Sequence, residues 1–284
     1  MLSILIPTYH YNIVPLVEEI QSQCIEANIK FEILAYDDGS KSQLNSSNNR
    51  INSLKKCVFK ELPENIGRSA IRNLLGKEAK FDHLLFIDAG TFPKNSNFIK
   101  NYLAVLEKDM VNGGMMCLEK PPKKPYKLRW LFTKKKEYKA WCSSNFLIKK
   151  RVFEINLFDE SIKNYGYEDV LFFESLKHKN LFLHQINNPV IHYADDDANT
   201  FIKKVENALT NLLNLIDEGK IKSSEITLLK YYRIVTKLKL QKTVVCFFKM
   251  TKGLLLKNFN SNYPSILLFD FYRLGYFCNL NSKE

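Results

Sequence analysis

The chain has 284 residues, of which 45% are hydrophobic and 25% are charged, and this balance excludes a disordered or collagen-like protein. Its length is sufficient for one large α/β domain, or for an average domain with a smaller appendage, to bury a core without disulfide bonds. The net charge of +12 favours an anionic partner: a nucleotide, a nucleic acid or an acidic membrane surface.

Short apolar runs alternate with amphipathic stretches in the first half of the chain, which is typical of βαβ units around a mostly parallel sheet. We predict strands over 2–6, 31–36, 57–62 and 83–87, and helices over 13–26 and 67–79. The second strand runs into Asp37 and Asp38, and the fourth ends at Asp88. Because open α/β sheets bind ligands at the carboxyl ends of their strands, we expect a binding site there.

The second half of the chain is less regular as far as residue 150, apart from a predicted strand over 145–148. Beyond it we predict helices over 166–177 and 199–217 and, after the composition changes at Gly219, near 224–240, 242–257 and 264–277. This change in composition predicts a catalytic or binding domain over 1–198 and a helical, basic region over 199–284.

The six cysteines are scattered with no CxxC pair, which indicates reduced thiols in a cytoplasmic protein. The first residues lack a basic stretch and reach Pro7 early, so we expect no leader peptide. No uncharged apolar run approaches the roughly 18 residues needed to span a bilayer. We therefore predict a cytoplasmic protein, with a possible peripheral position on the inner face of a membrane.

Six motifs occur in a characteristic order along the first 195 residues. They are SILIPTY at 3–9, DDGS at 37–40, NIGRSAIRN at 65–73, LLFIDAG at 84–90, YED at 167–169, and His192. Together they resemble the inverting glycosyltransferases of family 2. The resemblance implies a GT-A fold, which is a Rossmann-like α/β sheet flanked by helices, a nucleotide-sugar donor that is usually UDP-linked, and a divalent metal, Mn²⁺ or Mg²⁺.

The resemblance assigns uracil recognition to Asp37 and Asp38, with Pro7, Thr8 and Tyr9 as the wall of the same pocket. A carboxylate at a strand end can accept the imide N–H of uracil, which gives this role a physical basis. The sequence Asp-Asp-Gly-Ser is also good chemistry for an Asx turn, so a purely structural role stays open.

Asn65, Gly67, Arg72 and Asn73 begin a predicted helix whose N–H groups and dipole suit a phosphate or a nucleoside. Arg68 or Arg72 could add a charged fork for the donor diphosphate. A helix start with solvated arginines explains the local sequence nearly as well, and the resemblance is what favours the donor site.

The family's metal-binding DxD motif falls on Asp88-Ala89-Gly90, where the second Asp is replaced by Gly90. Mg²⁺ and Mn²⁺ require hard oxygen ligands, and glycine supplies no side chain. The resemblance implies Asp88 and His192 as the remaining metal ligands, although His192 could equally be a structural histidine or contact the diphosphate directly. A weakened metal site, a metal-independent enzyme and a protein without activity all stay open.

An inverting transfer needs one carboxylate beside the acceptor hydroxyl to remove its proton. In the family this base is the Asp of a Glu-Asp pair, which implies Asp169, with Glu168 orienting the acceptor or a neighbouring backbone group. The alternative is that both residues complement the dipole of the helix that they begin.

Two basic stretches stand outside these motifs. Residues 120–139 hold nine basic residues and one acidic residue, and fall where the family has its acceptor loop; Trp130 and Trp141 could stack on a sugar or pack in a core. From residue 200 onward there are 14 basic and 6 acidic residues, interleaved with aromatic and aliphatic ones. This tail could lie on an anionic membrane, or pack on the catalytic domain or a second subunit.

The sequence thus predicts an inverting glycosyltransferase that moves a sugar from a UDP donor to a hydroxyl of a glycan or a lipid-linked saccharide. A non-catalytic nucleotide-sugar-binding protein is the alternative, because Gly90 interrupts the DxD motif. The charge of +12 would also suit nucleic acid, but no known binding module occurs, and we predict no nucleic-acid partner.

Overall fold

A computed structural model describes residues 1–138, 141–163, 165–179, 181–221 and 226–282 of the chain, which form ten strands. The strands are β1 (Leu2–Thr8), β2 (Phe31–Asp37), β3 (Cys57–Glu61), β4 (His83–Ile87), β5 (Thr91–Pro93), β6 (Met110–Asn112), β7 (Met115–Cys117), β8 (Asn145–Lys149), β9 (Leu183–Gln185) and β10 (Val190–His192). The predicted strands over 2–6, 31–36, 57–62, 83–87 and 145–148 are therefore confirmed.

The same residues form eleven α-helices, one 3₁₀ helix (Asn49–Ser53) and one π-helical turn (Thr133–Glu137). The helices are α1 (Val14–Glu26), α2 (Asn45–Asn48), α3 (Arg68–Glu78), α4 (Phe98–Leu103), α5 (Lys127–Phe132), α6 (Lys150–Glu154), α7 (Glu168–His178), α8 (Ala198–Asp217), α9 (Thr227–Lys237), α10 (Gln241–Phe259) and α11 (Ile266–Asn281). The first residues of the helix predicted over 224–240 lie outside the described residues.

Seven strands form one sheet in the order β3-β2-β1-β4-β8-β6-β9. The pairs among β3, β2, β1 and β4 are parallel, whereas β8 runs antiparallel to both β4 and β6. In β1, Leu2, Ile4 and Ile6 pack into one apolar cluster and Leu5 into another, because successive side chains point to opposite faces. Burial on both faces explains why the parallel strands appear as continuous apolar runs in the sequence.

The strand order reverses direction at β1: the chain proceeds from β1 to β2 and β3 on one side, and β4 lies on the other side. Such a switch point leaves a crevice between the carboxyl ends of adjacent parallel strands. β5, β10 and β7 form a separate three-stranded sheet in which His192 pairs with Thr91. The small sheet thereby places His192 next to the segment that follows β4.

One predicted helix start is wrong. The helix predicted over 166–177 begins only at Glu168, because Gly166 and Tyr167 both have positive φ angles, 98° and 70°, which are incompatible with a right-handed helix. Asp197, at the end of the Asp195–Asp197 run, is the N-cap of α8 and accepts hydrogen bonds from the N–H groups of Asn199 and Thr200.

The chain divides into two compact units that interleave along the sequence. The first comprises Met1–Cys117, Lys136–Lys163 and Glu168–Tyr193, and the second comprises Leu118–Lys135, Asn164–Tyr167 and Ala194–Glu284. The predicted domain division at residue 198 stays a prediction. Helices α5, α8, α10 and α11 of the second unit share one apolar cluster, which includes Phe201, Phe248 and Phe269. No helix within the described ranges is both long enough and apolar enough to cross a bilayer.

Candidate active site

Polar residues of the first unit meet where β1, β2 and β4 end. Thr8 and Asp37 are paired in the parallel ladder, and the backbone N–H of Asp38 donates to the carbonyl of Thr8 at 2.9 Å. Asp88 follows β4 directly, and β4 is the neighbour of β1 on the opposite side from β2. These residues therefore lie at the crevice of the switch point, as the sequence predicts.

Asp37 is buried, and its carboxylate closes the turn that follows β2. Its Oδ2 accepts from the N–H of Ser40 at 2.8 Å, and its Oδ1 accepts from the Ser40 hydroxyl at 2.7 Å. These are the contacts of the Asx turn that the sequence left as an alternative. Recognition of uracil by Asp37 stays a prediction.

Asp38 is also buried and connects the end of β2 to the start of α3. Its two carboxylate oxygens accept from the backbone N–H groups of Ile66 at 2.7 Å and Gly67 at 3.1 Å. Burial raises the pKa of Asp38 and the Asp37 charge adds to this, while the two N–H donors oppose it. Asp38 thus fixes the loop that carries Asn65 and Gly67 against the sheet edge.

The close contact between the turn after β2 and the loop before α3 requires a glycine at position 39. It has a φ of +63°, and a Cβ atom placed on it would lie 2.2 Å from the backbone carbon of Glu64. The loop before α3 therefore approaches the turn after β2 more closely than any side chain at residue 39 permits.

Arg72, on α3, forms a buried ion pair with Asp88. Its Nη2 lies 2.7 Å from Asp88 Oδ1, its Nη1 donates to the carbonyl of Arg68, and its guanidinium lies 5.6 Å from the centre of the Phe158 ring. The Nε atom is buried and has no hydrogen-bond partner among the described residues. The side chain is only 2% exposed, so the alternative of a solvated arginine does not hold for Arg72, and its role in donor binding stays a prediction.

Asp88 accepts on both carboxylate oxygens. The Ser144 hydroxyl donates to Oδ2 at 2.8 Å, and Arg68 Nη2 lies 3.8 Å from the same atom. Burial by itself raises the pKa of Asp88, but the charges of Arg72 and Arg68 and the Ser144 hydrogen bond outweigh it and lower the pKa. Asp88 is therefore a carboxylate held in its ionised form.

Arg68 joins the end of β4 to the start of α7. Its Nε donates to Glu168 Oε1 at 2.7 Å, and its side chain is 45% exposed whereas that of Glu168 is buried. Arg68 and Arg72 stand one turn apart on α3, so both guanidinium groups reach Asp88. Helix α3 thereby brings the predicted donor residue Asp88 and the predicted acceptor residue Glu168 into one network.

Asp169 is partly buried beside this network. Burial, followed by the charge of Glu168, raises the pKa of Asp169 to about 7, against the opposing effects of the Val170 N–H and the charges of Arg68 and Arg72. A carboxylate with a pKa near neutrality is suited to accept a proton from a hydroxyl group.

The remaining predicted donor residues differ in exposure. Tyr9 and Asn65 are exposed, Pro7 and Gly67 are partly exposed, and Thr8 is buried with its hydroxyl near the carbonyl of Ile6. Asn73 has a structural role, because its side-chain amide exchanges two hydrogen bonds with the backbone of Phe158.

The residues present do not fit a divalent metal. Both oxygens of Asp88 are engaged, two guanidinium groups stand beside it, and Gly90 offers no ligand. A Cβ atom at Gly90 would lie 3.0 Å from the Tyr11 hydroxyl, so the Tyr11 ring occupies the space of the missing carboxylate. Among the residues that the structure describes, no three His, Cys, Asp or Glu side chains are grouped to hold a metal.

Sequence reasoning missed Ser144, Tyr11 and Phe158 at this site. Ser144 reaches Asp88 because β8 pairs antiparallel with β4, and the sequence carries no local signal for that pairing.

Trp130 donates to the carbonyl of Leu118 and is buried, and Trp141 packs edge-on against Phe173. Both tryptophans are thus used in packing. Lys139, at the end of the basic stretch 120–139, lies outside the described residues.

Solved structures with a similar fold include glycosyltransferases. The mannosyltransferase PcManGT from Pyrobaculum calidifontis, in complex with GDP-Man and Mn²⁺, aligns with a TM-score of 0.59 and 16% identity, over 100% of this chain and 88% of that one. In fold, the chain is similar to a glycosyltransferase. The predicted α/β fold with a mostly parallel sheet, flanking helices and C-terminal helices is thereby confirmed.

Two structures of TarS from S. aureus also align. TarS 1-349 in complex with UDP gives a TM-score of 0.49 and 16% identity, over 100% of this chain and 92% of that chain. A longer TarS structure gives 0.47 and 18% identity over 75% of this chain, and the alignment spans only 40% of that chain. No protein-family model and no curated protein matches the sequence.

Proposed function

We propose that the protein transfers a sugar from a nucleotide-sugar donor to a hydroxyl group of a glycan or a lipid-linked saccharide, with inversion at the anomeric carbon. The supporting observation is that Asp88, Arg68 and the Glu168-Asp169 pair meet at the switch point of the sheet. The glycosyltransferase fold and the GDP-Man complex of PcManGT support a nucleotide sugar. The family 2 motifs favour UDP over GDP.

The donor would occupy the crevice at the ends of β1, β2 and β4. Tyr9 and Asn65 are exposed there for contact with the nucleoside, and Asp37 and Asp38 hold the crevice edge in shape. The half-exposed guanidinium of Arg68 would bind the diphosphate, since arginine donates to phosphate oxygens in a fork. This cation would offset the charge that develops on the leaving diphosphate.

Asp169 would act as the general base. Its carboxylate takes the proton of the acceptor hydroxyl while the hydroxyl oxygen forms a bond to the anomeric carbon. The bond from that carbon to the diphosphate breaks, and its electron pair leaves on the phosphate oxygen. One displacement of this kind inverts the anomeric centre, and Glu168 would fix Arg68 beside it.

A divalent metal has no part in this proposal, because the ligand set around Asp88 and Gly90 does not fit one. His192 pairs with Thr91, and the N–H and hydroxyl of Thr91 both donate to the carbonyl of Asp88. In this proposal His192 would contact the diphosphate of the donor and would not bind a metal.

Gly90 also favours a second candidate, a nucleotide-sugar-binding protein without catalysis. The two candidates differ in one measurement, the release of UDP from a UDP-sugar. Slow transfer to water already reports cleavage of the donor, so the assay does not require the acceptor.

The test compares wild type with Asp169→Asn, and with Asp82→Asn as a control at an exposed position of the first unit. We expect wild type and Asp82→Asn to release UDP, and Asp169→Asn to bind UDP but lose release by about 100-fold or more. UDP binding without release in wild type would support the non-catalytic candidate. Unchanged release in Asp169→Asn would remove Asp169 from the mechanism.

A further inference from the structure

The last three helices expose apolar side chains in regular stripes. On α10, Phe247, Met250 and Leu254 follow the spacing i, i+3, i+7, and Met250 and Leu254 are 77% and 68% exposed. The opposite side of α10 carries Phe248, Leu255 and Phe259, which are buried in the core of the second unit. Helix α10 thus has one apolar side that packs in the core and a second apolar side that faces solvent, which packing of the core does not require.

The exposed stripe of α10 continues onto α11. The Phe247 ring packs edge-on against Phe271 with centroids 5.5 Å apart, and Leu267, one turn before Phe271, is exposed. We name Phe247, Met250, Leu254 and Leu267 the α10–α11 apolar stripe. It is a continuous surface because the aromatic contact joins its two parts.

Helix α9 repeats the same arrangement, with exposed Tyr231, Ile234 and Leu238 again at i, i+3, i+7. Each is preceded by a basic residue, namely Lys230, Arg233 or Lys237, all of them exposed. Cations therefore run alongside the apolar stripe of α9 over its whole length.

The charge of this region is almost entirely positive. Residues 226–282 contain nine basic residues and a single acidic one, Asp270, which pairs with Arg273 on its own helix. Lys242, Lys249 and Lys257 are exposed on α10, and α10 contains no acidic residue. A partner must therefore accept apolar side chains and supply negative charge over an extended area.

We propose that the α10–α11 apolar stripe and α9 bind the surface of an anionic lipid bilayer. Acyl chains would take up the exposed aliphatic and aromatic side chains, while the flanking Lys and Arg contact lipid phosphates. Nucleic acid would pair with the cations but would leave Met250 and Leu254 without an apolar partner. A second copy of the chain would bring like charges together, because Asp270 is the only acidic residue of the region.

The experiment is flotation of the full chain with phosphatidylcholine vesicles that contain about 30% phosphatidylglycerol, and with phosphatidylcholine alone. We expect binding to the anionic vesicles, weak binding to the neutral ones, and a loss of binding on going from about 0.15 M to about 1 M salt, over which the electrostatic screening length falls from about 8 Å to about 3 Å.

The decisive variant is Met250→Glu/Leu254→Glu, and its control is Ile155→Glu/Phe182→Glu, two positions of the first unit that are 68% and 81% exposed. We expect the first variant to lower the partition coefficient by about tenfold or more and the control to leave it unchanged. Lys249→Gln/Lys257→Gln, which keeps the apolar stripe, should lower it by about fivefold per charge. A thermal melt of each variant shows that it is folded.

Absence of wild-type binding to anionic vesicles would overturn the proposal, as would equal binding by Met250→Glu/Leu254→Glu. Sedimentation velocity tests whether the stripe binds a second copy of the chain instead. The proposal would also be overturned if the wild type is a dimer that does not bind vesicles and Met250→Glu/Leu254→Glu converts it to a monomer. Binding to RNA but not to vesicles would have the same consequence.

Discussion

Asp169 combines burial with a neighbouring like charge, and both effects disfavour its ionised form. Such a carboxylate lowers the stability of the folded protein at neutral pH, and groups perturbed in this way concentrate at sites that have a functional reason for the perturbation. Proton transfer from a hydroxyl is such a reason, because the base works best when its pKa lies close to the working pH.

The ionisation of Asp169 should determine how turnover depends on pH. The base must be ionised, so kcat/KM for UDP-sugar cleavage should rise as the pH increases through about 7 and level off above it. The charged or titratable groups around Asp169 are Glu168, Arg68, Arg72 and Cys142. The positive charges of the two arginines lower the pKa of Asp169 and therefore the midpoint of the pH–rate profile. A rate that is flat between about pH 5 and about pH 9 would exclude Asp169 as the base.

Stability should show the opposite dependence on pH. Because the pKa of Asp169 is higher in the folded state, the stabilisation from its protonated form is complete below the unfolded pKa of about 3.9 and is lost as the pH rises through about 7. Asp169→Asn should therefore raise Tm by about 3 °C or more at alkaline pH and leave it nearly unchanged at acidic pH. Thermal melts of both proteins at the two pH values measure this, with Asp82→Asn as the control.

At the scale of single elements, α3 is the most connected part of the site. One face places Arg68 and Arg72 on Asp88, and the same side of the helix faces the Phe158 ring. The two arginines differ in burial, so they should respond differently to mutation.

Arg72→Met should lower the free energy of unfolding by about 3 kcal/mol, because it leaves the Asp88 carboxylate without its buried partner. Arg68→Gln should lower it by less than about 1 kcal/mol, since Arg68 is half exposed, but should weaken UDP binding by about tenfold. Urea denaturation and calorimetry separate the two effects, and Lys77→Met, at an exposed position of α3, is the control. Equal losses of stability in both variants would contradict the assigned roles.

Substitution of two glycines by alanine should change the free energy of unfolding in opposite directions. Gly39→Ala should destabilise the protein by about 3 kcal/mol or more, because its Cβ would overlap the backbone of Glu64 at a positive φ. Gly253→Ala, in α10, should stabilise the protein by about 1 kcal/mol, because a Cβ atom there would have no neighbour within 4 Å among the residues that the structure describes. Urea denaturation measures both, and a loss of stability in Gly253→Ala would mean that its surroundings are closed.

The elements differ in how far sequence alone predicts them. β1, β2 and β4 are predictable because strands buried on both faces appear as apolar runs. β5, β7 and β10 have three residues each, too few for a periodic pattern, and β10 pairs with strands that lie about 100 positions (β5) and about 75 positions (β7) earlier in the chain. The sequence places Asp88, Arg72 and Asp169 in the site, whereas the contacts of Ser144 with Asp88 and of Tyr11 with Gly90 depend on tertiary packing.

For the whole molecule, the basic residues behind the net charge of +12 have different surroundings in the two units. In the first unit, Arg68 and Arg72 neutralise Asp88 at the sheet edge. In the second, residues 226–282 carry nine basic residues and one acidic residue. Lys252 pairs with Glu206 and Arg273 with Asp270, whereas the basic residues beside the exposed apolar side chains of α9 and α10 are exposed. Under the proposed function, this positive charge would attract the diphosphate of the donor despite the acidic residues at the sheet edge.

The decisive question is whether the half-exposed Arg68 guanidinium, without a divalent metal, completes a nucleotide-diphosphate site at the switch point. Calorimetric titration of UDP, with GDP for comparison, in Mn²⁺ and in EDTA tests it most directly. We expect UDP to bind in EDTA with an affinity within about threefold of that in Mn²⁺, a difference of less than about 1 kcal/mol. Binding that appears only with Mn²⁺ would contradict the role of Arg68, and the absence of binding by either nucleotide would contradict the site itself.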